Sequence, residues 1–342
     1  MEFLYFLESI RNPVCDAIFS AITFLGSEAL FIVIALMMFW CVDKREGYYV
    51  LTVGLFGILV NQFAKLFFKV PRPWLRKPGF EVVGNAAADA GGYSFPSGHT
   101  QNVTGTLGGI FVSRKKIWER ALLVSVIVLV AFSRMYLGVH TPADVLFSLC
   151  FAVFLLIVTR PMFTSDQRLR KCVPYISAVC ILFAIGLTLY AFLSTAEDSY
   201  ALENLYSARK NAVTMLGCSL AFPLVYYFDT KVTRFETKAK WYVQVLKIIV
   251  GVCVVFLLKE GLSAPLVFIF KNEFVARAVR YFVIVLFAGC IYPIFFKYFS
   301  LIGEKRVKTE QKEEPVKKVS RFNKNNPHPK SKKRKNRVQY KR

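Results

Sequence analysis

Nine stretches of this chain are apolar over lengths that approach or match a bilayer crossing, and that property confines the fold more than any other. They lie at about 28–42, 48–68, 99–113, 120–136, 142–159, 173–194, 211–228, 241–258 and 278–299. A hydrocarbon layer roughly 30 Å thick takes about 20 mostly apolar residues per helix. Inside it the backbone satisfies its own hydrogen bonds only as helices or a closed barrel. Runs this long and continuous read as helices, so the expected fold is all-α, a polytopic integral-membrane bundle. The composition agrees: 55% of the 342 residues are hydrophobic, 33 of them Phe, above the usual share of a water-soluble domain.

A net charge of +23 sits oddly with so apolar a chain until it is located. Residues 303–342 hold 16 basic and 4 acidic residues, a tail that reads as disordered, basic and drawn to anionic lipid headgroups. Residues 1–26 read as an interfacial amphipathic helix, and 260–277 as a re-entrant or interfacial segment. The basic loops at 43–45, 114–120, 160–171 and 231–240 fall on one side with the tail, which the Lys/Arg bias makes cytoplasmic. Loops 69–98 and 137–141 then face out, yet carry Lys69, Arg72, Arg76 and Lys77 against the charge rule. The opening Met1-Glu2-Phe3 lacks the basic start of a secretory signal. Eight cysteines form no C-x-x-C pair and read as small packing residues. In the third run Gly105 and Gly109 make a small-xxx-small pair suited to close helix packing.

Polar residues at membrane depth are costly and therefore mark function. Three clusters stand out. Lys65 and Arg72-Pro73 close the second run; seven residues apart, the two cations share a helix face if the helix persists that far. Pro96-Ser97-Gly98-His99 opens the third run, where Ser97 can be a plain N-cap or part of an anion site at a helix N-terminus. Ser133-Arg134, then His140, then Asp144 bridge the fourth and fifth runs. Asp144 fits a capping box with Thr141, and one turn from His140 it can also fix that imidazole's tautomer. Cations and N–H donors in this number suit a phosphoryl group, and two histidines suit attack on it and protonation of its leaving oxygen. No carboxylate cluster offers a metal site, and no cofactor is expected.

Lys65-x6-Arg72-Pro73, Pro96-Ser97-Gly98-His99 and Ser133-Arg134-x5-His140-x3-Asp144 together resemble the three signature motifs of the type 2 phosphatidic acid phosphatase (PAP2) family. The resemblance covers about 65–144. It implies a six-helix core over 27–160, completed by the first helix of 161–302, with about three further C-terminal spans. It implies His140 as the nucleophile, Asp144 as its orienting partner and His99 as general acid. Lys65, Arg72, Arg134, Ser97 and the N–H of Gly98 would hold the phosphate. The expected activity is metal-independent hydrolysis of a lipid phosphate or diphosphate at the outer leaflet, in a bacterial plasma membrane. Transfer of the phosphoryl group to an acceptor hydroxyl is the alternative within the family. A transporter with Asn61, Gln62, Lys65 and Arg134 along a polar path is the alternative outside it.

Overall fold

A computed structural model describes residues 1–77, 79–88 and 90–299; the basic tail lies outside the described residues. Among the described residues the regular structure is helical, with no strand. The chain forms α1 (Glu2–Ser9), α2 (Pro13–Thr23), α3 (Glu28–Met37), α4 (Lys44–Phe68), the short α5 (Pro73–Arg76), α6 (Gly98–Ser113), α7 (Ile117–Tyr136) and α8 (Pro142–Thr159). It continues through α9 (Asp166–Leu193), α10 (Ser199–Phe228), α11 (Trp241–Gly261), α12 (Ser263–Phe270) and α13 (Glu273–Leu286). Starts are marked by side chains that accept first-turn N–H groups: Ser27, Asp43, Thr141, Ser165, Asp198 and Asn272.

All nine expected runs lie on helices, but among the described residues only six helical segments are long and apolar enough to cross a membrane, or seven if the bent pair Pro13–Gly26 and Glu28–Val42 is one span. The runs at 99–113 and 120–136 do not qualify. α6 is enclosed by α4, α7 and α8. Its Thr100, Gln101, Asn102, Thr104 and Thr106 are buried in protein, so this central helix has no need of an apolar face toward lipid. Close approach is what its glycines provide: a Cβ on Gly109 would sit 2.9 Å from Val50 Cγ2, and one on Gly105 3.2 Å from Val53 Cγ1, both on α4.

Two expectations need correction. Residues 1–26 are two helices, not one, because Pro13 restarts the chain with Asn12 as its cap. α1 buries Leu4 and Leu7 beside Phe80, and α2 packs on α7. Residues 260–277 are not re-entrant. α12 prolongs α11 into one 30-residue span, and Lys271, in a left-handed conformation at φ 51°, turns the chain straight into α13.

The later helices are joined to the earlier ones through α4. Asp229, buried just beyond α10, takes the Lys44 ammonium at 2.5 Å and the Tyr48 hydroxyl at 3.2 Å. Asn211 of α10 donates to Gln62 Oε1 at 3.0 Å, and the buried Trp40 indole donates to the Ala288 carbonyl at 2.9 Å. Gln62 is thereby a helix-to-helix tie.

Candidate active site

The site gathers where α4, α6, α7 and α8 end together. α4 stops at Phe68, with Lys69 left-handed at φ 49° as its terminal residue. Pro71 and Pro73 forbid continuation, so Lys65 and Arg72 do not share a helix face as the seven-residue spacing predicts. They meet through the 91–94 loop instead. The Lys65 ammonium donates to the Tyr93 carbonyl at 2.5 Å. Arg72 spends its guanidinium on the Gly92, Gly91 and Val139 carbonyls at 2.9, 2.9 and 3.0 Å. The same loop is pinned to the stretch just past α4 by Ser94 N–H on the Val70 carbonyl at 2.8 Å.

His140 sits in the 137–141 turn, 1% exposed, its backbone N–H on the Arg134 carbonyl. Its two ring nitrogens face opposite charges. Arg72 Nη1 lies 3.1 Å from Nε2, and a guanidinium can only donate, so Nε2 presents its lone pair. In the neutral ring the proton is then on Nδ1, which faces Asp144 Oδ2 at 3.5 Å, a contact longer than a full hydrogen bond. Burial, followed by the nearby Arg72 cation, holds the His140 pKa well below the ordinary histidine value; Asp144 opposes this. The neutral imidazole is the favoured form.

Asp144 stands where both alternatives left open by the sequence would place it. It closes a capping box, taking the Thr141 N–H at 2.8 Å while Thr141 Oγ1 accepts the Asp144 N–H at 3.4 Å. The same Oδ2 faces the imidazole and accepts the Ser94 hydroxyl at 2.6 Å. Ser97 is the N-cap of α6. Its Oγ accepts Thr100 Oγ1–H at 3.0 Å, and its own N–H goes to the Asp144 carbonyl at 3.2 Å. The N–H groups of Gly98 and His99, in the first turn of α6, have no intrahelical carbonyl to reach.

His99 packs beside Gly26, where a Cβ would come within 3.0 Å of its own Cβ and carbonyl oxygen. It is partly exposed, unlike His140. The same three cations, Arg134, Arg72 and Lys65, lie within electrostatic reach of both histidines. Arg134 is 2% exposed and donates to Thr23 Oγ1 at 2.7 Å, which ties the end of α2 into the site. The structure thus assembles all eight residues singled out from the sequence around one helix-end region. It adds Ser94, two residues ahead of the second cluster, and Thr23, which no motif marked.

Among known proteins, the PAP2 superfamily profile matches residues 45–168, and the PAP2 superfamily phosphatase transmembrane extension matches 213–321. The second match brings into the family the last three spans, which the signature motifs do not reach. Undecaprenyl-diphosphatase BcrC of Bacillus subtilis is 33% identical over 150 residues, 43% of this chain and 74% of the relative. Phosphatidylglycerophosphatase B of the same organism is 31% identical over 165 residues, 43% of this chain and 76% of the relative. Human sphingosine-1-phosphate phosphatase 2 is 22% identical over 231 residues, 64% of this chain and 55% of the relative. No solved structure matches the chain. Motifs, helix architecture and relatives agree: this chain belongs to the PAP2 superfamily and is a multi-pass membrane phosphatase with the family's transmembrane extension.

Proposed function

We propose that the protein hydrolyses a lipid phosphate or diphosphate through a phosphohistidine on His140, without a metal ion. The observation that carries this reading is the polarised imidazole: Nε2 with its lone pair toward Arg72, and Nδ1 toward Asp144. In the first step Nε2 attacks phosphorus. The P–N bond forms as the P–O bond to the leaving group breaks, and His99 gives its proton to the departing oxygen. In the second step water attacks the phosphohistidine with His99 taking its proton, the P–N bond breaks, and phosphate leaves. Lys65, Arg72 and Arg134, with the N–H groups at the start of α6, face the charge that builds on the phosphoryl oxygens. Arg72 Nη1 lies against the attacking nitrogen, so its donor must turn from Nε2 to a phosphate oxygen for attack to occur.

A site at helix ends takes a headgroup while acyl or prenyl chains stay in the bilayer, which favours lipid over soluble phosphates. The substrates named for the relatives, a polyprenyl diphosphate, a phosphatidylglycerophosphate and sphingosine 1-phosphate, are all of this kind. The basic loops at the opposite helix ends support an outward-facing site in a bacterial plasma membrane. Purified protein in EDTA, given phosphatidate, phosphatidylglycerophosphate, undecaprenyl diphosphate and glucose 6-phosphate, should release phosphate from a lipid and not from the sugar. His140→Ala should abolish release. Lys65→Ala should lower it on the order of 10²–10³-fold, the usual loss for one donor aimed at developing charge. Full activity in His140→Ala, or an absolute need for divalent metal, would contradict the reading.

A further inference from the structure

A second cationic cavity lies in the extension, away from the imidazoles. It holds about 150 Å³ between α10, α12 and α13 and is lined by Lys210, Ser263, Glu273, Arg277 and Arg280, among others. That is the size of cavity that admits a benzene-sized guest. Its carboxylate is already engaged, since Glu273 Oε2 accepts the Tyr206 hydroxyl at 2.7 Å. Lys210, Arg277 and Arg280 form no ion pair with a carboxylate among the described residues. Arg277 Nε instead donates to Thr214 Oγ1 at 2.8 Å and to the Lys210 carbonyl at 3.2 Å. Arg280 Nη1 donates to the Lys259 carbonyl at 3.2 Å, and its buried Nε has no partner. Beyond the lining, Glu28 of α3 lies within electrostatic reach of Arg277 and Lys259, and Lys259 also pairs with Glu260 at 3.5 Å. The lining itself therefore keeps more positive than negative charge.

The cavity opens near the same end of the bundle as the active site. Tyr200, at the start of α10, sets its ring edge-on against Tyr93 at 5.8 Å, and Tyr206, under two turns further on, holds Glu273 at the first residue of α13. Glu273 and Arg277 thus lie in the first turns of α13, at the start of an apolar helical span. Half-buried cations without a carboxylate partner are costly unless something neutralises them. Two planar guanidinium forks and an ammonium around a hydroxyl suit a tetrahedral phosphate better than a planar carboxylate or a halide.

We propose that this cavity binds a dianionic phosphate, as a phosphomonoester lipid headgroup or free in solution, as a site separate from the catalytic one. The test uses the delipidated full chain in detergent with His140→Ala, which removes turnover. Bound dioleoyl phosphatidate is counted by native mass spectrometry, with dioleoyl phosphatidylcholine as the zwitterionic control, and [32P]phosphate is counted by equilibrium dialysis. Two equivalents per chain are expected for one or both phosphate probes. Arg277→Gln should reduce the count to one. So should Lys210→Gln, which removes the ammonium but keeps the backbone carbonyl that Arg277 uses, so the fold is spared. Two equivalents of phosphatidate identify a headgroup site; two of inorganic phosphate alone identify a free-phosphate site. Arg72→Gln should remove only the other equivalent, so failure of the catalytic reading is seen separately. The proposal is overturned if Lys210→Gln keeps both equivalents, if no second equivalent binds, or if phosphatidylcholine binds equally well, which would leave Glu28 as sufficient counter-charge.

Discussion

Asp144 Oδ2 is the most heavily used atom in the site: a hydroxyl, a backbone N–H and an imidazole all turn toward it. Asp144→Asn should leave α8 capped through the remaining carbonyl oxygen but favour the wrong tautomer of His140. A fall in kcat on the order of 10⁴ with little change in KM is expected, the size of loss seen when a histidine-orienting carboxylate becomes an amide. Ser94→Ala removes one hydrogen bond to a charged acceptor, about 1.5–3 kcal/mol. If that loss falls on the transition state, kcat should drop by roughly 10–150-fold, read in the same assay. His140 should titrate below the ordinary histidine value of about 6.5. Burial and Arg72 penalise its charged form, so activity that needs the neutral ring persists as pH falls toward that lower pKa. With only three histidines in the chain, 15N NMR of histidine-labelled protein can follow it; a His140 titration at or above 6.5 would contradict the geometry. Residue types and spacing gave His140 and Asp144 because one helical turn is a local relation. Thr23 and the carbonyls of Gly91, Gly92, Tyr93 and Val139 were illegible, because any residue can present a carbonyl and Thr23 reaches Arg134 from 111 positions away.

At the level of helices, apolar length located the long helices but misjudged what surrounds two of them. α6 and α7 were legible as helices, but burial of α6 among its neighbours is a tertiary fact that polarity alone does not disclose. The Lys65–Arg72 relation failed for a related reason. Helical spacing was carried past Lys69 into a stretch where Pro71 and Pro73 break it. Small residues mark the tightest contacts, and Gly217 of α10 is one, since a Cβ there would overlap the Ala278 carbonyl oxygen of α13. A backbone atom cannot swing aside. Gly217→Ala should therefore destabilise the protein by about 1–3 kcal/mol, seen as a lower melting temperature of the purified enzyme. Turnover per folded molecule should stay within about twofold, because this contact lies away from the imidazoles.

For the molecule as a whole, the extension is a partner of the catalytic helices and not an appendage. Asp229 joins Lys44 and Tyr48 on α4, while Arg160 clamps Glu46 with two hydrogen bonds at 2.7 and 2.9 Å near the same end of that helix. Asp229→Ala leaves Lys44 without its carboxylate. With Lys44 a quarter exposed, the expected loss is about 1–3 kcal/mol, less than for a fully buried pair. It should show as a lower denaturation midpoint for the entire chain, not as detachment of one part. In the proposed mechanism two imidazoles and three cations converge on one phosphoryl group, with His140 as its covalent carrier. This mechanism is tested most directly by mixing the enzyme with lipid phosphate in EDTA, quenching in alkali within a turnover, and mapping the modified peptide by mass spectrometry. A phosphoryl group is expected on His140 and is absent from His140→Ala. A phosphoryl group on any other residue, or an unmodified His140 during steady turnover, would contradict it.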